Sequence, residues 1–241
     1  MSEIKPWPVP QKPAELAENR LIEAILTNVF PVNSYLPPER ELAVLLGVTR
    51  PTLREALQRL ARDGWIEIHH GRSTRVRDYW REGNLLILSA ITRNMKILPD
   101  DFVPHLLQVR VLLAPEYTRL AIHNSPSDVI RLLESIQNLP DTSAEFTRAD
   151  LHLHTRLTIL SRNPVFTLIF NGFSDLYSVM GQRYFSIDQT RDHSRSFYKK
   201  LLSAALSNDS FLAEEVTRNV MKESSDLWNL YQGEFDTPEN T

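Results

Sequence analysis

The chain has 241 residues, 42% of them hydrophobic and 24% charged, with a formal net charge of −3. That is the balance of an ordinary globular protein with one large or two small domains. It holds no cysteine, which excludes structural disulfides, thiolate metal sites and cysteine nucleophiles. No apolar run reaches the ~18 residues that suggest a membrane span, and the polar N-terminus has no signal-peptide core, so the expected location is the cytoplasm.

Residues 1–13 carry four prolines and read as a flexible arm. A first helix is expected over Ala14–Val29, with Leu16, Leu21, Ile22, Ile25 and Leu26 as its apolar face. Pro37 and Pro38 stop the next segment and pre-set a helix start. The helix they open, Glu39–Leu46, places Leu42, Leu45 and Leu46 together and ends at Gly47. Val48 and Thr49 form a tight turn, and Thr49 is placed to cap a second helix from Arg50. That helix buries Leu53, Ala56, Leu57 and Leu60 and leaves Arg50, Arg54 and Gln58 stacked on the opposite face. Gly64 ends it. Strands are expected over Trp65–His69 and Thr74–Arg77, with His70-Gly71-Arg72-Ser73 as the tip between them.

The pattern over residues 14–80 is a winged helix-turn-helix. A helix N-terminus rich in Arg and Thr can enter the major groove, and a basic hairpin can reach the neighbouring backbone or minor groove. Charge supports this reading. Arg40 to Arg77 holds eight arginines against four acids, a local +4, so the rest of the chain carries the acidic excess. A basic module joined to an acidic one fits a DNA reader coupled to a part that does not touch DNA.

Residues 81–84 read as the linker. Beyond them strand signals vanish, and amphipathic helices are expected over Leu85–Asn94, Pro99–His123, Pro126–Asn138, Thr142–Leu160, Pro164–Tyr184, Thr190–Ser207 and Ser210–Gln232. Pro115 should bend the helix that contains it. The breaks Asn124-Ser125-Pro126-Ser127, Ser161-Arg162-Asn163-Pro164 and Ser207-Asn208-Asp209 are stop-and-cap signals. The predicted fold is therefore mainly α: a winged helix-turn-helix domain followed by an antiparallel bundle of six to seven helices over 85–232, then a tail at 233–241. Such a bundle is large enough to hold a cavity.

The runs Pro37-Pro38-Glu39-Arg40-Glu41-Leu42-Ala43, Gly47-Val48-Thr49-Arg50 and Leu53-Arg54-Glu55-Ala56-Leu57 resemble the GntR family of bacterial transcription regulators. The helical C-terminal part is similar to that family's FadR branch. Runs that match the branch in both domains are Gly47-Val48-Thr49-Arg50, Leu57-Gln58-Arg59-Leu60-Ala61-Arg62-Asp63-Gly64-Trp65, His70-Gly71, Arg183-Tyr184-Phe185, and Glu223-Ser224 with Trp228. The likeness extends from about residue 14 to 232 and is densest in the N-terminal domain.

The resemblance implies operator contacts from Arg40, Thr49, Arg50, Thr52 and Arg54 in the helices and from His70 and Gly71 in the wing. Pro51 stands where the branch has a polar residue, which removes one contact. Arg59 and Arg62, further from the groove, read as solvated helix-face charges. In the bundle the resemblance implies long-chain acyl-CoA as effector, held by Arg110, His154, Tyr184, Tyr198, Ser224 and Trp228. In that set the arginine serves the CoA phosphates, the hydroxyls fix the thioester region, and the aromatic walls an apolar tunnel. Met221 stands where the branch has a glycine. The resemblance also implies a homodimer on a palindromic operator, since one recognition helix reads only a few base pairs. The expected partners are thus double-stranded operator DNA, the acyl-CoA and a second copy of the chain, with no membrane.

A second chemistry is weighed in the same bundle. Many relatives hold a divalent metal through Asp-x-x-x-His and two later histidines, and use the ion to bind a small organic acid. Asp150 and His154, at i and i+4, lie on one helix face and fit the first pair. The two later positions are Tyr198 and Lys222, and His152 and His193 are not placed to replace them. The expectation is no metal and no cofactor, with Asp150 and His154 a buried hydrogen-bonded pair for which Lys222 is a candidate partner. No Gly-rich phosphate loop, nucleophile elbow or His-Glu-x-x-His is present, so no enzyme is expected. An effector-free architectural DNA-binding protein is the remaining reading, and it would have a filled core in place of a cavity.

Overall fold

The computed structural model describes residues 12–69, 71–92 and 101–235. The N-terminal unit opens with α1 (Pro13–Leu26), α2 (Glu39–Leu46) and α3 (Arg50–Asp63). Each starts and stops where local chemistry directs. Pro13 fills the first turn of α1, where no amide donor is needed. The Thr49 side chain accepts from the Thr52 amide at the start of α3, and α2 and α3 close at Gly47 and Gly64. Leu21, Ile22 and Ile25 of α1, Leu42 and Leu46 of α2, and Leu53, Leu57 and Leu60 of α3 are all buried together with Trp65. Leu45, expected in that core, is 68% exposed and Ala43 is buried in its place. The helix is only 8 residues long, so a small rotation about its axis exchanges one flank for the other.

The wing is smaller than its sequence suggests. β1 (Ile66–Glu67) pairs antiparallel with β2 (Arg75–Val76), with Ile66 opposite Val76. Residues 33–36 extend it on the other edge: Tyr35 bridges Arg75, and Leu36 donates to the Thr74 carbonyl at 2.8 Å. The sequence reading missed this third edge because Asn33-Ser34-Tyr35 has no strand alternation.

Residues 81–84, read as a linker, are built into the N-terminal unit. They end α4 (Tyr79–Glu82) and turn into α5 (Leu86–Thr92). The Tyr79 ring packs against Trp65, tilted by 39° with centroids 4.9 Å apart. Glu82 accepts from Arg75 at 3.2 Å and from Arg77 at 3.1 Å, which fastens α4 to the wing. By its contacts the chain divides into Met1–Ile97 and Leu98–Thr241, so Leu85–Asn94, expected in the bundle, falls with the N-terminal unit; residues 93 and 94 lie outside the described residues.

The C-terminal unit contains α6 (Phe102–Asn124), α7 (Pro126–Ser135), α8 (Ser143–Leu160), α9 (Pro164–Asn171), α10 (Ser174–Tyr184), α11 (Asp188–Leu206) and α12 (Ser210–Phe235). α6 and α12 pack along each other, α8 lies against α6, α9 and α10, and α11 against α7 and α12. Thr142 and Asn163 cap α8 and α9 with their side-chain oxygens. The single helix expected over Pro164–Tyr184 is two. At Gly172 and Phe173 the amides bond to the carbonyls three residues back, a tightening that shifts the helix register.

A methyl group at Gly83 would lie 2.1 Å from Ile87 Cδ1 and 2.3 Å from the Tyr79 carbonyl oxygen. Gly83→Ala is therefore expected to unwind the end of α4 and lower stability by about 1–3 kcal/mol, the usual cost of overpacking. Urea unfolding of the variant checks this, and an unchanged midpoint would refute it.

Candidate DNA-binding and effector sites

The N-terminal unit exposes several cations on α2 and α3. Arg40 on α2, and Thr49, Arg50 and Arg54 at the start of α3, are exposed; Thr52 is half-buried. The Thr49 and Thr52 hydroxyls are 2.8 Å apart, so the capping turn holds two short polar side chains beside the arginines. Gly71 is exposed at the wing tip, and a methyl group added there would meet nothing within 4 Å. His70 lies outside the described residues. Arg59 pairs with Glu55 at 2.6 Å and Glu18 at 3.5 Å, and Arg62 with Asp63 at 2.8 Å, in keeping with solvated helix-face roles. Glu39, the first residue of α2, was not singled out by sequence. It accepts from Arg54 Nε at 2.8 Å and lies 3.7 Å from Arg50 Nη2.

The C-terminal unit encloses a cavity of about 90 Å³. Leu106, Leu113, Phe166, Phe173, Met180 and Trp228 are among its apolar walls, and Arg110, Asp150, Tyr177, Tyr184 and Ser224 supply its polar atoms. Four expected effector residues, Arg110, Tyr184, Ser224 and Trp228, thus line it. His154 and Tyr198 do not; they are buried one layer behind, against Asp150. Met221 is also buried but absent from the lining.

The polar part is a network around one guanidinium. Arg110 Nη2 donates to Tyr177 Oη at 2.6 Å, to His154 Nε2 at 3.0 Å and to Asp150 Oδ2 at 3.3 Å. Tyr177 donates in turn to Asp150 Oδ2, and Tyr198 donates to Asp150 Oδ1 at 2.8 Å. Helix packing makes this possible. Gly181 of α10 sits so close to α8 that a methyl group there would be 2.8 Å from Thr147 Cγ2. Tyr177 lies one turn before Gly181, and Asp150 one turn after Thr147, so the same approach brings phenol and carboxylate together.

The network fixes the charge states. Burial alone would raise the Asp150 carboxyl, but His154, the Arg110 guanidinium and the two phenol donors hold it below the usual carboxylate range. Because a guanidinium can only donate, His154 Nε2 must accept from it. The ring proton is then on Nδ1, which donates to Tyr117 Oη at 2.8 Å. Burial, with Arg110 adding to it against the opposing pull of Asp150, lowers His154 to about 4. Tyr184 is pushed up to about 12, chiefly by burial, with Ser224 beside it pulling the other way. Among the described residues, Arg110 Nε and the Tyr184 hydroxyl are buried without a hydrogen-bond partner of normal geometry.

These contacts correct one expectation. Asp150 Oδ1 and His154 Nε2 are 3.9 Å apart and joined only through Arg110, and Lys222 is exposed. The metal alternative is poorly served by this donor set: the imidazole lone pair accepts from Arg110, and that fixed cation stands beside the carboxylate. Among the described residues no group of three or more His, Cys, Asp or Glu could hold an ion. Tyr177 and Tyr117 were missed by the sequence reading. Tyr177 lies two helical turns from Tyr184, a spacing that puts both phenols on one face of α10.

Arg191 fixes the turn that carries Tyr184. It donates to the Phe185 carbonyl at 2.7 Å and the Ser186 carbonyl at 3.3 Å, while its Nε bonds Asp141 at 2.6 Å.

A winged helix-turn-helix joined to a separate helical unit is the build of a DNA-binding regulator. Comparisons with known proteins agree. Residues 13–76 match the family described as bacterial regulatory proteins, gntR family, and residues 77–239 match the FadR C-terminal domain. Relatives named fatty acid metabolism regulator protein include one from Shewanella sp. (strain MR-7), 41% identical over 93% of each chain. Another, from Yersinia pestis, is 40% identical over 92% of this chain and 93% of its own. A solved structure, described as that of Lar, which controls expression of the Listeria monocytogenes agr system, shares the fold at a TM-score of 0.61 and 15% identity, covering 92% of this chain and 99% of that one. The chain belongs to the GntR family, in the branch defined by the FadR C-terminal domain. It is a DNA-binding transcription regulator and not an enzyme. Among the described residues no helix is long and apolar enough to cross a membrane.

The lowered His154 pKa has a testable sign. Between its ordinary value of ~6.5 and about 4 the unfolded chain takes up a proton that the folded chain refuses, so stability falls as pH falls through that window. Asp150 acts in the same direction at lower pH, its contribution being lost as its carboxyl is protonated. His154→Gln is expected to flatten the dependence, with the difference between pH 7 and pH 5 shrinking by roughly 1–2 kcal/mol. Urea titrations at the two pH values measure it, and an unaltered difference would show that His154 is not the titrating group.

Proposed function

We propose that the protein is a cytoplasmic, homodimeric regulator of fatty-acid metabolism genes that binds a palindromic operator and is released by long-chain acyl-CoA. The observation that carries the effector assignment is the cavity: apolar walls around a half-buried arginine whose buried Nε has an unspent donor. Its lining on α6 runs from Val103 to Tyr117, roughly 20 Å at the α-helical rise. Arg110 lies midway along that stretch, about 10 Å from either end, so the cavity as it stands takes only part of a long acyl chain. The FadR C-terminal match and the names of the 38–41% identical relatives support the same ligand class.

In this reading Arg110 serves the thioester carbonyl. The phosphate role expected from sequence does not suit a guanidinium already committed to Asp150, His154 and Tyr177 inside the bundle. Tyr184 and Ser224 add hydroxyls beside it, and Tyr198 and His154 act only by holding Asp150 and Arg110 in place. No metal or other cofactor is needed, because Arg110 supplies the positive charge. The cavity is small against the ~300–1,000 Å³ of a typical ligand site, so an acyl chain must part the helices that line it. The displacement passes along the chain to α4, whose Glu82 is bonded to the wing through Arg75 and Arg77, and changes the spacing of the two DNA-binding units.

Arg40, Thr49, Arg50, Thr52 and Arg54, with His70 and Gly71 at the wing tip, form the operator-contacting set, and Arg50 and Arg54 read guanine. Replacing either by Ala is expected to cost about 1–3 kcal/mol at the preferred duplex, the worth of a bidentate base contact. Unchanged affinity in both variants would remove the assignment.

Calorimetric titration with a sixteen-carbon acyl-CoA, with chelator present throughout, tests the effector. Micromolar or tighter binding is expected. The coupling must be reciprocal, so operator DNA should weaken acyl-CoA binding by the factor with which acyl-CoA weakens operator binding. No binding, or coupling in one direction only, would overturn the reading.

A further inference from the structure

Glu39 is a carboxylate beside Arg50 and Arg54, the two cations assigned above to base contacts. Its position is well determined, because Pro38 sets its backbone and buried Leu42 and Leu46 fix α2 beneath it. Its Oε2 receives Arg54 Nε at 2.8 Å and lies 3.7 Å from Arg50 Nη2. One carboxylate oxygen therefore sits between two guanidinium groups that belong to the next helix. The three side chains together carry +1 where the arginines alone would carry +2.

We propose that Glu39 is a positioning residue for sequence discrimination, which orients Arg54 for base contact and disfavours phosphate binding by the same arginines. The inference rests on the assignment of Arg50 and Arg54 to base contacts. Two consequences follow from the geometry. With Nε held by Glu39, Arg54 keeps both Nη groups free, and that outer fork is a pair of donors that matches guanine O6 and N7. The carboxylate also lowers the local potential, and it is repelled by phosphate oxygens wherever the arginines slide off a base edge. Sequence-independent affinity is mostly phosphate neutralisation, so a negative charge placed here costs more at the wrong sequence than at the right one.

The test uses the full-length protein and a duplex selected by the wild type from a randomised library, with a shuffled duplex of the same composition. Wild type, Glu39→Gln, Glu39→Asp and Arg54→Ala are titrated on both duplexes at several salt concentrations. Glu39→Gln is expected to bind the shuffled duplex about fivefold tighter, the upper range for an exposed ion pair. It should gain nothing on the selected duplex, so discrimination falls. Its salt slope on the shuffled duplex should steepen by about one ion. Glu39→Asp, which keeps the charge, should retain weak binding to the shuffled duplex. Equal changes on both duplexes, or none on either, would overturn the proposal. If Arg54→Ala discriminates as well as wild type, the base-contact assignment itself fails; if only Glu39→Gln does, the assignment stands and the role of Glu39 falls.

Discussion

A guanidinium carried into the interior of a helical bundle has to be neutralised there, and much of the C-terminal unit's geometry follows from that requirement at Arg110. Removing one charge from water costs several kcal/mol even after relaxation, and the partner's attraction offsets this only when the remaining donors and lone pairs are also satisfied. Asp150 alone would not suffice. Tyr177 and Tyr198 each donate to one of its oxygens, and His154 is kept neutral so that its lone pair can accept from Arg110. The cluster joins α6, α8, α10 and α11. A ligand that engages Arg110 therefore disturbs four helices, which gives a small chemical event a large mechanical reach.

The recognition surface and the cavity use charge in opposite regimes. At Glu39 the ion pairs are exposed, weak and screened by salt, which suits side chains that must rearrange when DNA arrives. At Asp150 the pair is buried and its partners are fixed. The wing lies between these extremes: Arg75 and Arg77 converge on Glu82 with side chains about one-third exposed or less. A loosely held recognition surface can adapt to the groove, while a tightly held core resists small displacements of any one of its members.

The N-terminal fold was largely legible because its signals are local. Thr49 caps α3, Gly47 and Gly64 stop helices, and the apolar spacing of Leu53, Ala56, Leu57 and Leu60 fixes which face is buried. What failed depended on long-range pairing. Tyr35 joins the wing only because Arg75 is beside it, and residues 81–84 look like a linker until Tyr79 meets Trp65 and Gly83 closes on Ile87. In the bundle, Arg110, Tyr184, Ser224 and Trp228 were placed at the cavity by family resemblance. Periodicity alone marks such residues as core, because a helical stripe carries no information about which turn faces a cavity. Tyr198 and His154 carry the same spacing signals but stand a layer deeper, a distinction that only packing decides.

The Asp150–His154 pair shows why spacing underdetermines chemistry. Two ligands at i and i+4 can share a cation on one helix face, yet which cation depends on a third residue from another helix. Here α6 delivers Arg110 to that position. A guanidinium is a permanent cation, so the carboxylate is ionised and the imidazole stays neutral, as in a metal site. The difference lies in what a ligand finds. A metal ion offers open coordination positions that reward a small carboxylate brought within bonding distance. Arg110 offers directional N–H donors beside an apolar cavity, and donors of that kind suit a carbonyl oxygen better than a second charge. One substitution in kind, from an exchangeable ion to a tethered one, thus changes the chemistry that the same pair of side chains presents to its surroundings.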